Sequence, residues 1–290
     1  MIRIATRSSA LAKAQAGQIA ALLGEAELVE VSFEGAAGDK SRFVRGVERV
    51  LLDRGAELGV HSAKDLPGAM PEELEIAAVP VREDPADVWI GAGGSLDEVA
   101  EGARVGTASL RRRAQLLAAR PDLRVEELHG NVDTRLRKLE EGDLDGIVLA
   151  AAGLRRLGRE EEIGFAIPVD RMVPAAGQGA LALQVRIGDM ETSEAATAVN
   201  DLRAMRELTA ERTVVALLDA TCASPLGAHA RVEGGRIAIE AFVGLPDGTE
   251  WLRDRVEGSA EEPALAGAEL VQRLLGAGAR ELLDRAEAQA

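Results

Sequence analysis

The sequence predicts an α/β protein with mixed, mostly parallel sheets, followed by a small α+β domain. Up to about residue 185, short apolar runs of strand length alternate with amphipathic helical stretches, as in sheets whose strands are joined by helical crossovers. After residue 193 a long helical region precedes three successive strands and a final helix, which is typical of an α+β unit. With 290 residues, 47% of them hydrophobic, the chain is long enough for two or three domains.

The alternation can be followed along the first part of the chain. Ser8 or Ser9 caps a first helix that runs to about Leu23, with Ile19 and Leu22 on its apolar side. Strands are predicted at residues 3–6, 28–33, 56–60, 76–79, 87–90, 104–107, 123–128, 145–150 and 180–185. Further helices are predicted at residues 43–52, 110–119, 132–139 and 153–157, and a loop at 35–41.

The later part of the chain has a different order of elements. A long helical region is predicted at 193–218, strands near 229–232, 236–243 and 251–256, and one or two helices at 263–288. Turn-rich segments at 80–85 and 174–179 are the natural crossings between domains. We therefore predict a discontinuous first lobe of residues 1–82 and 180–197, a second lobe of 83–179 and a C-terminal domain of 198–290.

Composition excludes several classes of function. The net charge of −15 and an aromatic content of 2% argue against a nucleic-acid-binding protein, which needs cations and stacking platforms. A single cysteine rules out an internal disulfide and suits a reducing compartment. The sequence shows no apolar run of transmembrane length, so we expect no membrane partner and a cytoplasmic location. The three histidines are too scattered for a metal site.

The stretch at residues 59–67 is the first candidate for chemistry. An apolar strand ends there in polar residues, and Pro67 prevents a helix from continuing. Ligands of α/β proteins usually bind at the carboxyl ends of strands. Lys64 and Asp65 are adjacent, so in an extended segment their side chains would point apart. Solvated charges at an exposed strand end remain an alternative.

Arginine recurs where strands lead into helices. After the good N-cap Ser109, the next helix has arginines in its first turn, where the helix dipole disfavours cations by roughly 0.3–1 kcal/mol. Such a placement makes sense if an anion binds to both the backbone N–H groups and the guanidinium groups. Arg7, Arg135 and Arg156 follow the same logic more weakly, and a solvated basic face is the alternative. Residues 3–8 and 104–109 also resemble each other faintly, as two similar lobes would.

Cys222 lies in a predicted loop between a helix and a strand. A lone cysteine is more often an inert small apolar residue than a chemical group, and the residues around it leave both readings open.

Seven motifs, in order, resemble the porphobilinogen deaminase (hydroxymethylbilane synthase) family. They are Arg-Ile-Ala-Thr-Arg-Ser-Ser (3–9), Val-His-Ser-Ala-Lys-Asp-Leu-Pro (60–67), Arg-Glu-Asp-Pro (82–85), Gly-Thr-Ala-Ser-Leu-Arg-Arg (106–112), Gly-Asn-Val-Asp-Thr-Arg-Leu (130–136), Ala-Ala-Gly-Leu-Arg-Arg-Leu-Gly (151–158) and Pro-Ala-Ala-Gly-Gln-Gly-Ala (174–180).

The resemblance implies a fold and an activity. The family has two lobes like those of periplasmic binding proteins and a small third domain that carries the cofactor cysteine, matched here by Cys222. It condenses four porphobilinogen molecules head to tail into hydroxymethylbilane and releases ammonia, in the biosynthesis of heme and other tetrapyrroles. The growing chain is built on a dipyrromethane cofactor, held by a thioether to the cysteine. The protein is expected to be a monomer.

The resemblance also implies roles for individual residues. Asp65 would be the catalytic carboxylate, and Gln178 would lie in the hinge. Contacts to the cofactor are implied for Lys64, Thr107, Ser109, Arg111, Arg112 and Arg135, and contacts to the substrate for Arg7, Ser9, Lys40, His129 and Arg156. His129 replaces the usual arginine, and the loop at 38–43 is shorter than in the family. A non-enzymatic, two-lobed carboxylate-binding protein is the alternative function.

Overall fold

Two five-stranded sheets and one three-stranded sheet organise the computed structural model, which describes residues 1–31, 41–221 and 223–289, without the side chains of 41–43. The first sheet has the order β2-β1-β3-β10-β4. Its strands are β1 (Ile2–Arg7), β2 (Ala26–Val31), β3 (Leu58–Ser62), β4 (Leu74–Ala78) and β10 (Leu181–Arg186). Only β10 runs against the others, because it pairs antiparallel with both β3 and β4.

The second sheet repeats this plan with the order β7-β6-β8-β5-β9. Its strands are β5 (Asp87–Gly91), β6 (Arg104–Gly106), β7 (Arg124–Glu126), β8 (Gly146–Ala150) and β9 (Phe165–Ile167). Here β5 is the reversed strand, again fourth in the order. Because β1 and β6 occupy the same place in their sheets, the faint sequence echo between residues 3–8 and 104–109 falls on structurally equivalent strand-to-helix turns.

Helices cover both faces of each large sheet. In the first, α1 (Ala10–Leu23) and α2 (Ser41–Leu52) lie on opposite faces, over core groups that contain Ile19 and Val47 respectively. In the second, α3 (Leu110–Ala119) covers one face, while α4 (Val132–Glu140) and α5 (Ala151–Arg156) cover the other. The predicted fold class of mixed, mostly parallel sheets is confirmed.

The third sheet forms a separate α+β unit. Its antiparallel strands are β11 (Leu226–Glu233), β12 (Arg236–Gly244) and β13 (Trp251–Ser259). The helices α7 (Leu202–Leu217), α8 (Pro263–Gly276) and α9 (Ala279–Glu287) pack on it, through one apolar cluster that includes Val214, Leu270 and Leu282. The grouping of strands is observed, whereas the exact domain boundaries stay a prediction.

Four local features differ from, or add detail to, what the sequence predicted. The helical region at 193–218 is two helices, α6 (Met190–Thr197) and α7, because Asp201 caps a new helix by accepting a hydrogen bond from the Ala204 N–H. The short edge strand β9 was missed. Leu22 is 60% exposed and does not face the core. Residues 63–65 form a 3-10 turn rather than an extended segment. None of the described helices is long and apolar enough to span a membrane.

The two crossings between the large sheets are held by one buried carboxylate from the third unit. Glu211 of α7 is fully buried and takes two hydrogen bonds from Arg82, at 2.8 and 3.1 Å, in the first crossing. It also accepts from the Gly177 N–H at 2.6 Å in the second crossing and from the Ala230 N–H of β11. Burial is the largest influence and would raise the pKa of Glu211, but the charge of Arg82, the interaction with His229 and the hydrogen bonds from Arg82 together lower it to about 2.

We expect Arg82→Met to lower the free energy of unfolding by about 3–5 kcal/mol, because it leaves the buried Glu211 carboxylate without its cation. The exposed pair between Arg137 and Glu141 supplies a matched control, since Arg137→Met should cost only about 0.3–0.5 kcal/mol. Urea unfolding of both variants measures the difference. Equal losses would show that the Arg82–Glu211 pair contributes no more than a surface ion pair.

Candidate active site

The candidate site lies where both large sheets and the second crossing meet. Asp65 follows β3 of the first sheet, and Ser109 follows β6 of the second, so both stand at carboxyl ends of parallel strands. Gln178 of the crossing contacts residues from both sides. Through Gln178, the structure connects the Lys64–Asp65 turn of the first lobe with Asp87 of the second.

Asp65 is presented by the 3-10 turn Ala63–Asp65. Its Oδ2 lies 3.7 Å from Nη1 of Arg7, and each side chain keeps about a third of its surface exposed. In this turn, which Pro67 follows two residues later, Lys64 contacts Gln178 while Asp65 contacts Arg7. An accessible carboxylate beside a guanidinium group is suited to accept protons and to stabilise a cation.

Lys64 is linked to the second sheet through Gln178. The Lys64 ammonium donates to Gln178 Oε1 at 3.3 Å, and Gln178 Nε2 donates to Asp87 Oδ1 at 3.0 Å. Burial, and then the charge of Arg112, lowers the pKa of Lys64 to about 8. The second crossing is thus tied to both lobes at the site itself.

Asp87 is the centre of a buried ionic cluster. Its carboxylate accepts from Arg111 Nη1 at 2.7 Å and from Arg112 Nε at 2.9 Å, and all three residues are at most 5% exposed. The two arginines also donate to the carbonyls of Val173 and Val148. Burial would raise the pKa of Asp87, but the two guanidinium charges hold it well below its ordinary range. Asp87 therefore stays ionised and sets the orientation of both arginines.

The caps of the two equivalent helices line the same region. The Ser9 hydroxyl accepts from the Ala12 N–H of α1, and the Ser109 hydroxyl accepts from the Arg112 N–H of α3. Buried Thr107 holds the second turn, because its hydroxyl accepts from the Ser109 N–H at 3.2 Å. The Ser9 and Ser109 hydroxyl groups already cap their helices, so the N-termini of α1 and α3 are formed without a ligand.

Arg135 and Arg156 provide partly buried positive charge. Arg135 Nε donates to the Gly130 carbonyl, and Arg156 Nη2 donates to the Gly179 carbonyl at 2.7 Å. Among the described residues, neither guanidinium has a carboxylate oxygen within 4.0 Å. Burial, and then the charge of Arg112, lowers the pKa of Arg135 to about 10, and burial also lowers that of Arg156. A bound anion would relieve this desolvation.

Three predicted residues are not placed in this cluster. His129 is exposed, and its Nε2 lies 2.7 Å from Oε1 of Glu127, so in this structure it contacts a neighbouring carboxylate. Lys40 and Cys222 lie outside the described residues. Their predicted roles, like those of the other site residues, stay predictions.

Sequence reasoning missed Asp87 as a member of the site. It opens the strand at 87–90, whose other residues are apolar, and a charged residue at that position was a signal of a buried ion pair. The sequence did not predict that the arginines of α3 would share the Asp87 carboxylate, because residues 87 and 111–112 come together only in the folded protein.

The geometry is that of a two-lobed α/β protein with an arginine-rich cleft between its lobes. Sequence comparison identifies the family within this class of proteins. The family model described as "Porphobilinogen deaminase, dipyromethane cofactor binding domain" matches residues 2–194, and the model described as "Porphobilinogen deaminase, C-terminal domain" matches residues 205–276. The chain therefore belongs to the porphobilinogen deaminase family, as its motifs predicted.

Individual relatives agree over nearly the whole chain. A porphobilinogen deaminase of Desulforudis audaxviator is 48% identical over 254 residues, which cover 87% of this chain and 82% of the relative. One from Syntrophus aciditrophicus is 42% identical over 302 residues and covers 99% of both chains. Among solved structures, the periplasmic VFT2 domain of BvgS from Bordetella pertussis matches at 17% identity with a TM-score of 0.40, covering 68% of this chain and 86% of that one.

We expect Asp87→Asn to lower the free energy of unfolding at pH 7 by about 3–5 kcal/mol, because two buried guanidinium groups lose their carboxylate. The pKa of Asp87 is depressed in the folded protein, so the unfolded chain binds the proton first as the pH falls. This contribution is complete above about pH 5 and is lost at lower pH. Wild-type stability should therefore fall more steeply below pH 5 than that of Asp87→Asn.

The surface residue Asp53 supplies the matched control for this measurement, since its side chain is 71% exposed. Asp53→Asn should keep both the wild-type stability and its pH dependence in urea unfolding at several pH values. An Asp87→Asn variant that followed the wild-type acid curve would contradict the assignment of an ionised Asp87.

Proposed function

We propose that this protein is a hydroxymethylbilane synthase (porphobilinogen deaminase), a transferase of tetrapyrrole biosynthesis. It would condense four porphobilinogen molecules head to tail on a covalent dipyrromethane primer, with loss of ammonia at each addition. The observation that carries the proposal is the accessible Asp65 carboxylate beside Arg7, at a site that also contains the partly buried Arg135 and Arg156. Membership of the family supports the choice of reaction.

The residues present fit a polyanionic primer. Each pyrrole unit of the product carries an acetate and a propionate, so the bound chain needs many cationic partners. Arg135 and Arg156 have partly buried guanidinium groups with no carboxylate oxygen within 4.0 Å among the described residues, although the charge of Glu83 acts on Arg156. The charge of Arg112 acts on both Lys64 and Arg135, so these three cations lie near one another. Carboxylates bound to these cations would take the place of the water that burial removes from them. We propose that Lys64 and Arg135, with Ser109 and Thr107, hold the cofactor, and that Arg156 binds a carboxylate of the substrate.

Arg111 and Arg112 would contribute in a different way. Asp87 and two backbone carbonyls take up one side of each guanidinium group, so the remaining N–H groups have fixed directions. We propose that they act as oriented donors towards carboxylates of the cofactor. A pair of unrestrained surface arginines would first have to lose side-chain entropy on binding.

Asp65 would perform the proton transfers. Its ionised form can accept a hydrogen bond from a pyrrole N–H and stabilise the electron-poor ring that remains when ammonia leaves. Its protonated form can donate to the departing amine, and its carboxylate can later remove the proton from the ring carbon that has been joined. Arg7 would bind a substrate carboxylate next to Asp65, together with Ser9, Lys40, His129 and Arg156. When bound, the dipyrromethane supplies the pyrrole carbon to which the first unit is joined.

The remaining assignments belong to the same proposal. Cys222 would anchor the primer by a thioether, because its thiolate is the nucleophile that forms such a bond. Gln178 would act in the hinge, and its contacts with Lys64 and Asp87 support this role. A cytoplasmic location is supported by the lone cysteine, whose thiol persists in a reducing compartment. A monomeric state and the absence of nucleic-acid partners stay predictions.

Asp65→Asn should lower kcat by at least about a hundredfold, because it removes the proton-transferring group but keeps the shape of the turn. Consumption of porphobilinogen and formation of hydroxymethylbilane give the measurement. The surface variant Asp53→Asn should stay fully active. If Asp65→Asn turned over porphobilinogen at the wild-type rate, Asp65 would not be the catalytic carboxylate. If neither the wild-type protein nor the variant turned over porphobilinogen, the alternative of a non-enzymatic carboxylate-binding protein would gain support.

Intact mass spectrometry tests the cofactor independently of activity. We expect the wild-type mass to exceed the sequence mass by two pyrrole units, and the acid-and-aldehyde colour test for pyrroles to be positive. Cys222→Ser should abolish both signals, because an alcohol does not form the thioether, whereas Asp53→Asn should keep them. A wild-type protein of unmodified mass would contradict covalent attachment.

A further inference from the structure

Three buried polar side chains form a hydrogen-bonded chain across the first lobe, next to the turn that carries Asp65. His61 of β3 has its Nε2 atom 2.9 Å from Oε1 of Gln184 on the neighbouring strand β10. Gln184 Nε2 in turn donates to Oε1 of Glu48 on α2, at 3.2 Å. All three residues are at most 5% exposed. We name Glu48, Gln184 and His61 the β3 relay.

Both hydrogen bonds of the β3 relay are donated in the same direction, from His61 towards Glu48. Because the Gln184 amide nitrogen donates to the Glu48 carboxylate, its oxygen faces His61 and must accept, so the imidazole proton is on Nε2. Burial is the largest influence on the pKa of His61 and lowers it to about 4, although the bond to Gln184 opposes this. The charge of Asp65 also favours protonation, whereas those of Arg212 and Arg7 disfavour it. The imidazole is therefore neutral at neutral pH.

Packing alone does not explain these three residues. They lie on the face of the sheet that α2 covers with Val47 and Leu51, in an otherwise apolar core group. Burying polar groups there costs free energy that an apolar trio would not cost. A connected chain of hydrogen bonds offers what apolar contacts lack, since it fixes the direction and separation of the elements it joins.

One end of the relay is close to the proposed catalytic residue. His61 is four residues before Asp65, and the 3-10 turn that presents Asp65 begins two residues after His61. On the other face of β3, Ser62 exchanges hydrogen bonds with Gln15 of α1, at 2.8 and 3.2 Å. The end of β3 is thus held from both faces, by Ser62 on the α1 side and by His61 on the α2 side.

The other end of the relay lies on α2, which packs very close to β3. A Cβ atom on Gly59 would come within 2.9 Å of Val47 Cγ1 and 3.1 Å of Leu51 Cδ1, so only glycine permits this approach. The charge of Glu48 also acts on Arg212 of α7, which donates to the Gly68 carbonyl at 3.3 Å. The relay therefore connects the Asp65 turn to a helix and, through charge, to the C-terminal unit.

We propose that His61 is a positioning residue for Asp65, and that the β3 relay fixes the Asp65 turn relative to α2. The inference rests on the proposed role of Asp65 as the catalytic carboxylate. His61 does not touch the substrate. Its function is to hold the end of β3 so that the Asp65 carboxylate meets the reacting atoms at the correct distance.

His61→Phe tests the relay by keeping a ring of similar size without the Nε2 donor. We expect kcat to fall about ten- to a hundredfold, since small misplacements of a catalytic group have effects of this size. KM should stay within about twofold, because the arginines that bind carboxylates are unchanged. His61→Gln places a donor near the lost Nε2 and should restore most of kcat.

Gln184→Leu breaks the same relay from its centre and keeps the hypothesis testable if His61→Phe does not fold. It should lower kcat like His61→Phe, and the double variant His61→Phe/Gln184→Leu should be no slower than either single variant. Val60→Ala is the matched control: it loosens the same strand on the opposite, α1-facing side and should keep the wild-type kcat.

Two measurements other than activity distinguish a positioning role of His61 from general disruption of the structure. Intact mass should show that every variant still carries the primer. Nitrogen-15 NMR of the histidines should show a neutral imidazole with its proton on Nε2 in the wild type, and a changed Nε2 signal in Gln184→Leu.

Wild-type kcat in His61→Phe or Gln184→Leu, with Asp65→Asn inactive, would overturn the inference and leave the proposed function standing. An equal loss of kcat in Val60→Ala would also overturn it, because loosening of the strand would then suffice. Full activity of Asp65→Asn would instead overturn the proposed function itself.

Discussion

The buried carboxylate of Asp87 is the interaction on which the cleft depends. It pairs with both Arg111 and Arg112 and offsets part of their charge, in a place where two guanidinium groups would otherwise be buried side by side without a carboxylate. It also receives the Gln178 side chain, which reaches Lys64 in the other lobe. One negative charge therefore orients the cations of the second lobe and links that lobe to the first.

Glu211 has the corresponding role at the crossings. It pairs with Arg82 and accepts from backbone N–H groups in the second crossing and in β11. Glu211 lies on α7, and Cys222 follows that helix by a few residues in the sequence. The three units thus share two buried anions, although the protein has a large excess of exposed acidic residues.

The cations of the cleft fall into two groups. Arg111 and Arg112 share the buried Asp87 carboxylate, whereas Arg135 and Arg156 are partly desolvated and bond to backbone carbonyls. The first group gives fixed geometry, and the second gives net attraction for an anion. In the first lobe the alternation of β3 separates two functions, since Ser62 faces α1 and His61 faces α2 while the turn beyond them carries Asp65.

The sequence by itself determined the class of fold and most of the elements, because strand and helix periodicity and caps such as Ser9 and Ser109 act locally. Its motifs also determined the family and identified Asp65, Lys64 and the arginine turns. Only the tertiary structure decided which charges are shared: Asp87 meets Arg111 and Arg112, Glu211 meets Arg82, and His61 meets Gln184, across separations of 24 to 129 residues. No local pattern encodes those partners, since a buried ion pair or hydrogen bond forms only when distant strands and helices remove both groups from water together.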